Sequence, residues 1–181
     1  MTDREEMLSR LFMKMIEFDR SDPKRIQHFT KVASYARLIG QGEGLDEETA
    51  FTLEAAALVH DIGIHVAEDK YGRQNGKLQE AEGPAPARRL LEECGFPGDV
   101  TDRVCYLVGH HHTYKDIDGI DYQILVEADF LVNIFEDGDT GADAADPGMK
   151  ETALKVRENI FRTRTGTFIL DNMFLKDRYH A

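Results

Sequence analysis

The chain has 181 residues, 41% hydrophobic and 31% charged, with a formal net charge of −12. That length suits one domain with a full core and is short for two. The negative excess argues against a nucleic-acid polymer or an anionic membrane as partner, since both repel it, but it is compatible with a small phosphate ester held in a pocket whose sign a metal reverses.

Met7, Leu11 and Met15 recur at helical spacing, with Leu8, Phe12 and Ile16 beside them, and predict an amphipathic helix over about residues 4–19. Asp22 and Pro23 restart the chain as N-cap and first helical residue. This second helix is expected to run to about Ile39 and to end in the loop Gly40, Gly42, Gly44, a G-x-G-x-G that follows a helix rather than a strand and so does not read as a dinucleotide site. Leu45-Asp46-Glu47-Glu48 opens a third helix, which carries Ala55 to Val59 into His60-Asp61, with Gly63 as its stop.

Residues 65–79 are polar, with turn signals at Tyr71-Gly72-Arg73 and Asn75-Gly76. They read as a loop or lid with at most a helical turn near Ala67. Helices follow over about 84–93 and 99–111, then a turn at 116–121 and the most apolar helix, Tyr122 to Phe135. Glu136 to Gly148 is acidic and rich in Gly and Ala and reads as a surface loop. Helical stretches over about 149–161 and 167–176 complete an all-α domain, a single unit with a core over about 23–135 and the C-terminal helices packed on it. Cys94 and Cys105 form no C-x-x-C pair and are expected to be reduced, neither of them a ligand. The charged N-terminus and the lack of a long apolar run give the cytoplasm as the expected location.

The chemistry lies in titratable residues that interrupt apolar helical faces, because a charge is costly to bury unless it is paired or bound to metal. His28 shares a stripe with Val32, Tyr35 and Ile39, and His60 with Leu53 and Ala57. Asp129 lies in line with Tyr122, Leu125 and Val132, and either His110 or His111 points inward from the helix before it. Any one of these histidines alone reads as a hydrogen-bonded core residue. Together, on four segments, they form a nitrogen and oxygen donor set without thiolate, suited to Fe, Mn, Co, Ni or Zn.

A single His, then a His-Asp doublet, then a distant Asp resembles the HD-domain metal-dependent phosphohydrolases, here at His28, His60-Asp61 and Asp129. The contexts Ala56-Ala57-Leu58-Val59-His60-Asp61-Ile62-Gly63 and Val126-Glu127-Ala128-Asp129 are similar to that family as well. The resemblance implies a helical bundle around a buried site of one or two divalent metal ions, with His60 and Asp61 as the catalytic pair. In binuclear members it also implies a second metal, for which His110, His111 and Glu82 are the candidates. His112 fits less well, being past the expected helix end. Where such members read His-Gly, this chain has Glu82-Gly83, either an oxygen ligand or a helix cap.

The activity implied is hydrolysis of a small phosphorylated substrate, a nucleotide or dinucleotide, by metal-activated water that Asp61 orients or deprotonates. Lys70, Arg73 and Lys115, with Lys77, are the candidate phosphate contacts, and His65 a candidate acid. Two alternatives share the fold: a di-iron oxygenase, and a non-catalytic nucleotide-binding module.

Overall fold

The computed structural model describes residues 2–136 and 147–177. Helices α1 (Asp3–Phe18), α2 (Pro23–Glu43), α3 (Glu47–Val59), α4 (Gly63–Tyr71) and α5 (Gly76–Glu82) are followed by α6 (Pro84–Cys94), α7 (Gly98–Val108) and α8 (Ile120–Glu136). After the undescribed stretch come α9 (Pro147–Asn159), α10 (Arg164–Leu170) and a π-helical turn, Asp171–Leu175. No strand occurs among the described residues, so the all-α expectation holds. The acidic loop expected between Glu136 and Gly148 falls almost wholly outside the described residues.

Local sequence sets the helix starts. Thr2 and Glu5 form a reciprocal capping box on α1, Asp22 accepts from Arg25 N at 3.1 Å ahead of Pro23, and Asp46 accepts from Glu48 N and Thr49 N at 3.0 and 2.9 Å. Helix α3 is the centre of the bundle. It packs on α1, α2, α7 and α8, and Ala55, Ala56, Ala57 and Val59 are each 0% exposed. The alanine run keeps α3 slender, so its neighbours approach closely enough for side chains from α2 and α8 to meet at its C-terminal end.

Two glycine expectations are corrected. Gly40 and Gly42 do not form a loop: α2 continues through them to Glu43. A Cβ on Gly42 would lie 2.4 Å from Thr165 Oγ1, so this glycine clears the path for the first turn of α10. Gly63 is not a helix stop but the first residue of α4. A Cβ there would lie 2.4 Å from Gln79 O and 2.8 Å from Gly83 N, because the backbone linking α5 to α6 crosses directly over it.

The expected loop over 65–79 is instead two short helices. Ile64 and Ala67 are buried under α4, Gly72 ends it in the left-handed region, and Asn75 caps α5 by accepting from Leu78 N at 3.1 Å. The turn signals at 71–73 and 75–76 separate two helices rather than mark a continuous loop. Cys94 and Cys105 are free and buried. The stretch Glu47–Tyr71 is long and apolar enough to span a membrane by composition, but 72% of its apolar window is buried inside the bundle.

Candidate metal centre

Four segments deliver the site: the first third of α2, the residues just after α3, the turn after α7, and the middle of α8. His28 Nε2 lies 3.3 Å from His60 Nε2, 3.2 Å from Asp129 Oδ1 and 3.5 Å from Asp61 Oδ2. His60 Nε2 lies 3.5 Å from both Asp61 Oδ2 and Asp129 Oδ1. Donor atoms bonded to a common cation at about 2.0–2.1 Å stand roughly 3.0–3.4 Å apart, so this spacing fits a shared ion. The residues are also buried as ligands are: His60 is 0% exposed, Asp129 5% and His28 7%.

Each imidazole is oriented through its other nitrogen. His60 Nδ1 is 2.9 Å from Ala57 O, His111 Nδ1 is 2.8 Å from Val108 O, and His28 Nδ1 is 2.9 Å from Glu136 Oε2. A proton on each Nδ1 satisfies these acceptors and turns the Nε2 lone pair toward the centre. His111 Nε2 is buried without a hydrogen-bond partner. It faces Asp61 Oδ1 at 3.4 Å, too far for a well-formed hydrogen bond. A buried, unsatisfied imidazole nitrogen beside a carboxylate is what a cation would complete.

Asp61 is therefore two-sided: Oδ2 faces His28 and His60, and Oδ1 faces His111. Its donor atoms converge in two groups, with His28 and His60 on one side and with His111 and His112 on the other. Burial opposes its charge, but His60 and His111 outweigh that and hold its pKa down at about 2. Burial likewise opposes protonation of His28, yet Asp129, Asp61 and Glu136 together raise its pKa to about 9. Asp129 is held far below the carboxylate range by His28 and His60 against its own burial, and it also accepts from Asn133 Nδ2 at 2.9 Å. Close carboxylates thus favour positive charge at the centre.

The structure does not bring every candidate together. His110 turns outward: its ring stacks on Tyr106 at 4.2 Å and its Nδ1 lies 2.7 Å from Tyr106 O. His112 takes the inward place beside His111, the two rings 4.1 Å apart. The register differs from expectation because α7 ends at Val108, and 109–112 form a turn that no longer advances by the helical angle. Glu82 is engaged elsewhere, bound by Lys70 and accepting from Tyr71 Oη at 2.8 Å, so Glu82 does not join the donor set, and Lys70, a candidate phosphate contact, is paired with it instead.

Arg73, Lys77 and Lys115 are exposed. His65 sits 3.2 Å from Asp19 and 2.7 Å from Arg25, outside both donor groups. His112, which the expected register disfavoured, lies at the centre after all, and two residues not anticipated there are Gln79, whose Oε1 lies 2.5 Å from His112 Nε2, and Glu136. Glu136 had a sequence signal: with Asp129 and Asn133 it falls at i, i+4, i+7 on one face of α8.

These features define an all-α protein built round a buried histidine–aspartate cluster that could hold a divalent metal. The chain belongs to the HD domain family, whose model matches residues 25–160. HD domains bind divalent metals, and the family is that of metal-dependent phosphohydrolases. Among solved structures, the selenomethionine form of YpgQ from Bacillus subtilis is similar, at 19% identity and a TM-score of 0.66 over 96% of this chain and 89% of that one. That likeness extends the fold agreement to nearly the whole chain. No curated protein matches the sequence.

Proposed function

We propose that this protein hydrolyses a small phosphate ester, a nucleotide or dinucleotide, with His28, His60, Asp61 and Asp129 holding the divalent cation. One observation carries the reading: His28 Nε2 and His60 Nε2 each lie within 3.5 Å of both Asp61 and Asp129, and the unpaired His111 Nε2 is turned to the far oxygen of Asp61. A divalent cation held there supplies a Lewis acid for the phosphoryl oxygens and lowers the pKa of an adjacent water.

Asp61 stays ionised and part-exposed, so it accepts a hydrogen bond from the attacking water and orients it. The Tyr114 hydroxyl, 3.4 Å from His112 Nδ1, is pushed to about 12 by burial and by the charges of Asp129, Glu80 and Asp61. It remains protonated at neutral pH and serves as a neutral donor to a phosphoryl oxygen. Arg73 and Lys115 offset the charge of the approaching anion. Support for a base-bearing substrate comes from the Tyr114 ring, 41% exposed and 5.2 Å from Phe130, which leaves an aromatic face beside the donor set for stacking.

Phosphate release from nucleoside monophosphates and simple aryl phosphates, and chromatographic detection of the nucleotides freed from dinucleotides, both with added Mn2+, test the proposal. Cation-dependent turnover that His60→Ala abolishes is expected; full activity in that variant overturns it. The two-sided Asp61 also suits a pair of irons doing oxidative chemistry. Two equivalents of iron with substrate-dependent oxygen consumption, and no hydrolysis of any phosphate ester in the panel, would establish that second reading instead.

A further inference from the structure

His28 differs from the other inward histidines in what holds it. His60 and His111 lie just past helix ends, where the last carbonyls of α3 and α7 have no intrahelical partner and accept from Nδ1. His28 is inside α2, where carbonyls are used by the i→i+4 ladder. Its Nδ1 partner must come from another element, and it is the carboxylate of Glu136, the last residue of α8. The other oxygen of Glu136, Oε1, is taken by Lys31 Nζ at 2.6 Å. Lys31 stands one helical turn beyond His28, so one face of α2 grips both oxygens of a single carboxylate.

We infer that Glu136 is a positioning residue for the metal centre: it fixes the ring and tautomer of His28 so that Nε2 is presented as a ligand, while Lys31 occupies its second oxygen. Glu136 accepts the Nδ1 proton as a charged group, which makes a stronger hydrogen bond than a backbone carbonyl and raises the basicity of Nε2. With both oxygens engaged, Glu136 does not itself compete for the cation. A plain inter-helix ion pair would place Lys31 and Glu136 together without involving His28, so the two roles are separable.

The inference rests on the metal reading of the centre and is tested by binding rather than turnover. Mn2+ alone is titrated into the full chain, and free ion is followed by its electron paramagnetic resonance signal. Loss of a group that orients a metal-binding histidine costs 10- to 100-fold in affinity. Glu136→Ala is expected to weaken Mn2+ binding by about that factor, and Glu136→Gln, which keeps an acceptor but not the charge, by roughly 3- to 10-fold. Lys31→Met breaks the same ion pair but spares the His28 contact, and affinity should stay within about 3-fold of wild type.

Unchanged affinity in the folded Glu136→Gln or Glu136→Ala protein overturns the inference, as does an equal loss in Lys31→Met, which would make the group a structural clamp only. Should the wild-type chain bind no Mn2+, the metal reading falls with it. Binding by wild type with unaltered Glu136 variants removes the positioning role alone.

Discussion

His110 and His112 are two positions apart and meet different surroundings: one lies on Tyr106, the other against Gln79 and the ring of His111. His110→Ala is therefore expected to leave turnover within about 2-fold of wild type, whereas His112→Ala should lower it about 10-fold or more by weakening the far side of the centre. Steady-state rates at saturating Mn2+ compare them directly. Asp61→Asn removes the oxygen charge that both donor groups share and should cost roughly 10³-fold or more in kcat/KM. At this scale the inward stripes on α2 and α8 made His28 and Asp129 legible, since each sits within an unbroken helical period. The register past Val108 was not legible, because the helix stops there and periodicity carries no information through a turn.

Helices show the same contrast. Long elements with apolar stripes, such as α1, α2 and α8, could be read from the chain apart from the glycine-bearing end of α2, while α4 and α5 were hidden by their polarity and short length. Their stability comes from tertiary contacts over Gly63, which local propensity does not report. The seat of the C-terminal helices is one buried carboxylate. Glu127 of α8, 0% exposed, accepts from Gln123 Nε2 at 2.8 Å, from Arg162 N and Thr163 N at 2.6 and 2.9 Å, and from the Thr163 hydroxyl. Glu127→Ala strands these donors and should cost about 3–5 kcal/mol in urea unfolding, with Glu127→Gln closer to about 1–2 kcal/mol.

Helix α3 also gives a pH signature. Backbone and side-chain hydrogen bonds from Thr49, with Glu48 N, lower the pKa of Asp46 below its ordinary 3.8. A group depressed in the folded state stabilises above its unfolded pKa, and that contribution is lost as pH falls below about 4 toward the folded value. Asp46→Asn caps without titrating. Its thermal midpoint relative to wild type should therefore improve between pH 6 and pH 3, a shift that calorimetry at the two pH values measures.

Across the whole molecule, the centre is the place where distant parts of the bundle are held together, so its occupancy is tied to stability. An ion that binds only the folded chain, at 100 times its dissociation constant, contributes about 2.7 kcal/mol. For a domain of this size, chelation should lower the melting temperature by roughly 5–10 °C, restored by re-addition of the metal and unaffected by Mg2+ if nitrogen donors select the ion. The all-α architecture was legible because periodicity is a local property. The partner of His28 was not, because Glu136 lies 108 residues away and only the completed packing of α8 against α2 brings them together.

That separation has a consequence for the chain as it is made. His28 and the doublet at 60 and 61 leave the ribosome early, but Asp129 is 101 residues beyond His28 and closes the donor set only when α8 has emerged and docked. A nascent chain offers at most scattered weak chelating pairs, so an ion held by this donor set would be acquired by the folded protein and not carried along during synthesis. Whichever divalent metal is abundant where folding finishes has the first opportunity to enter.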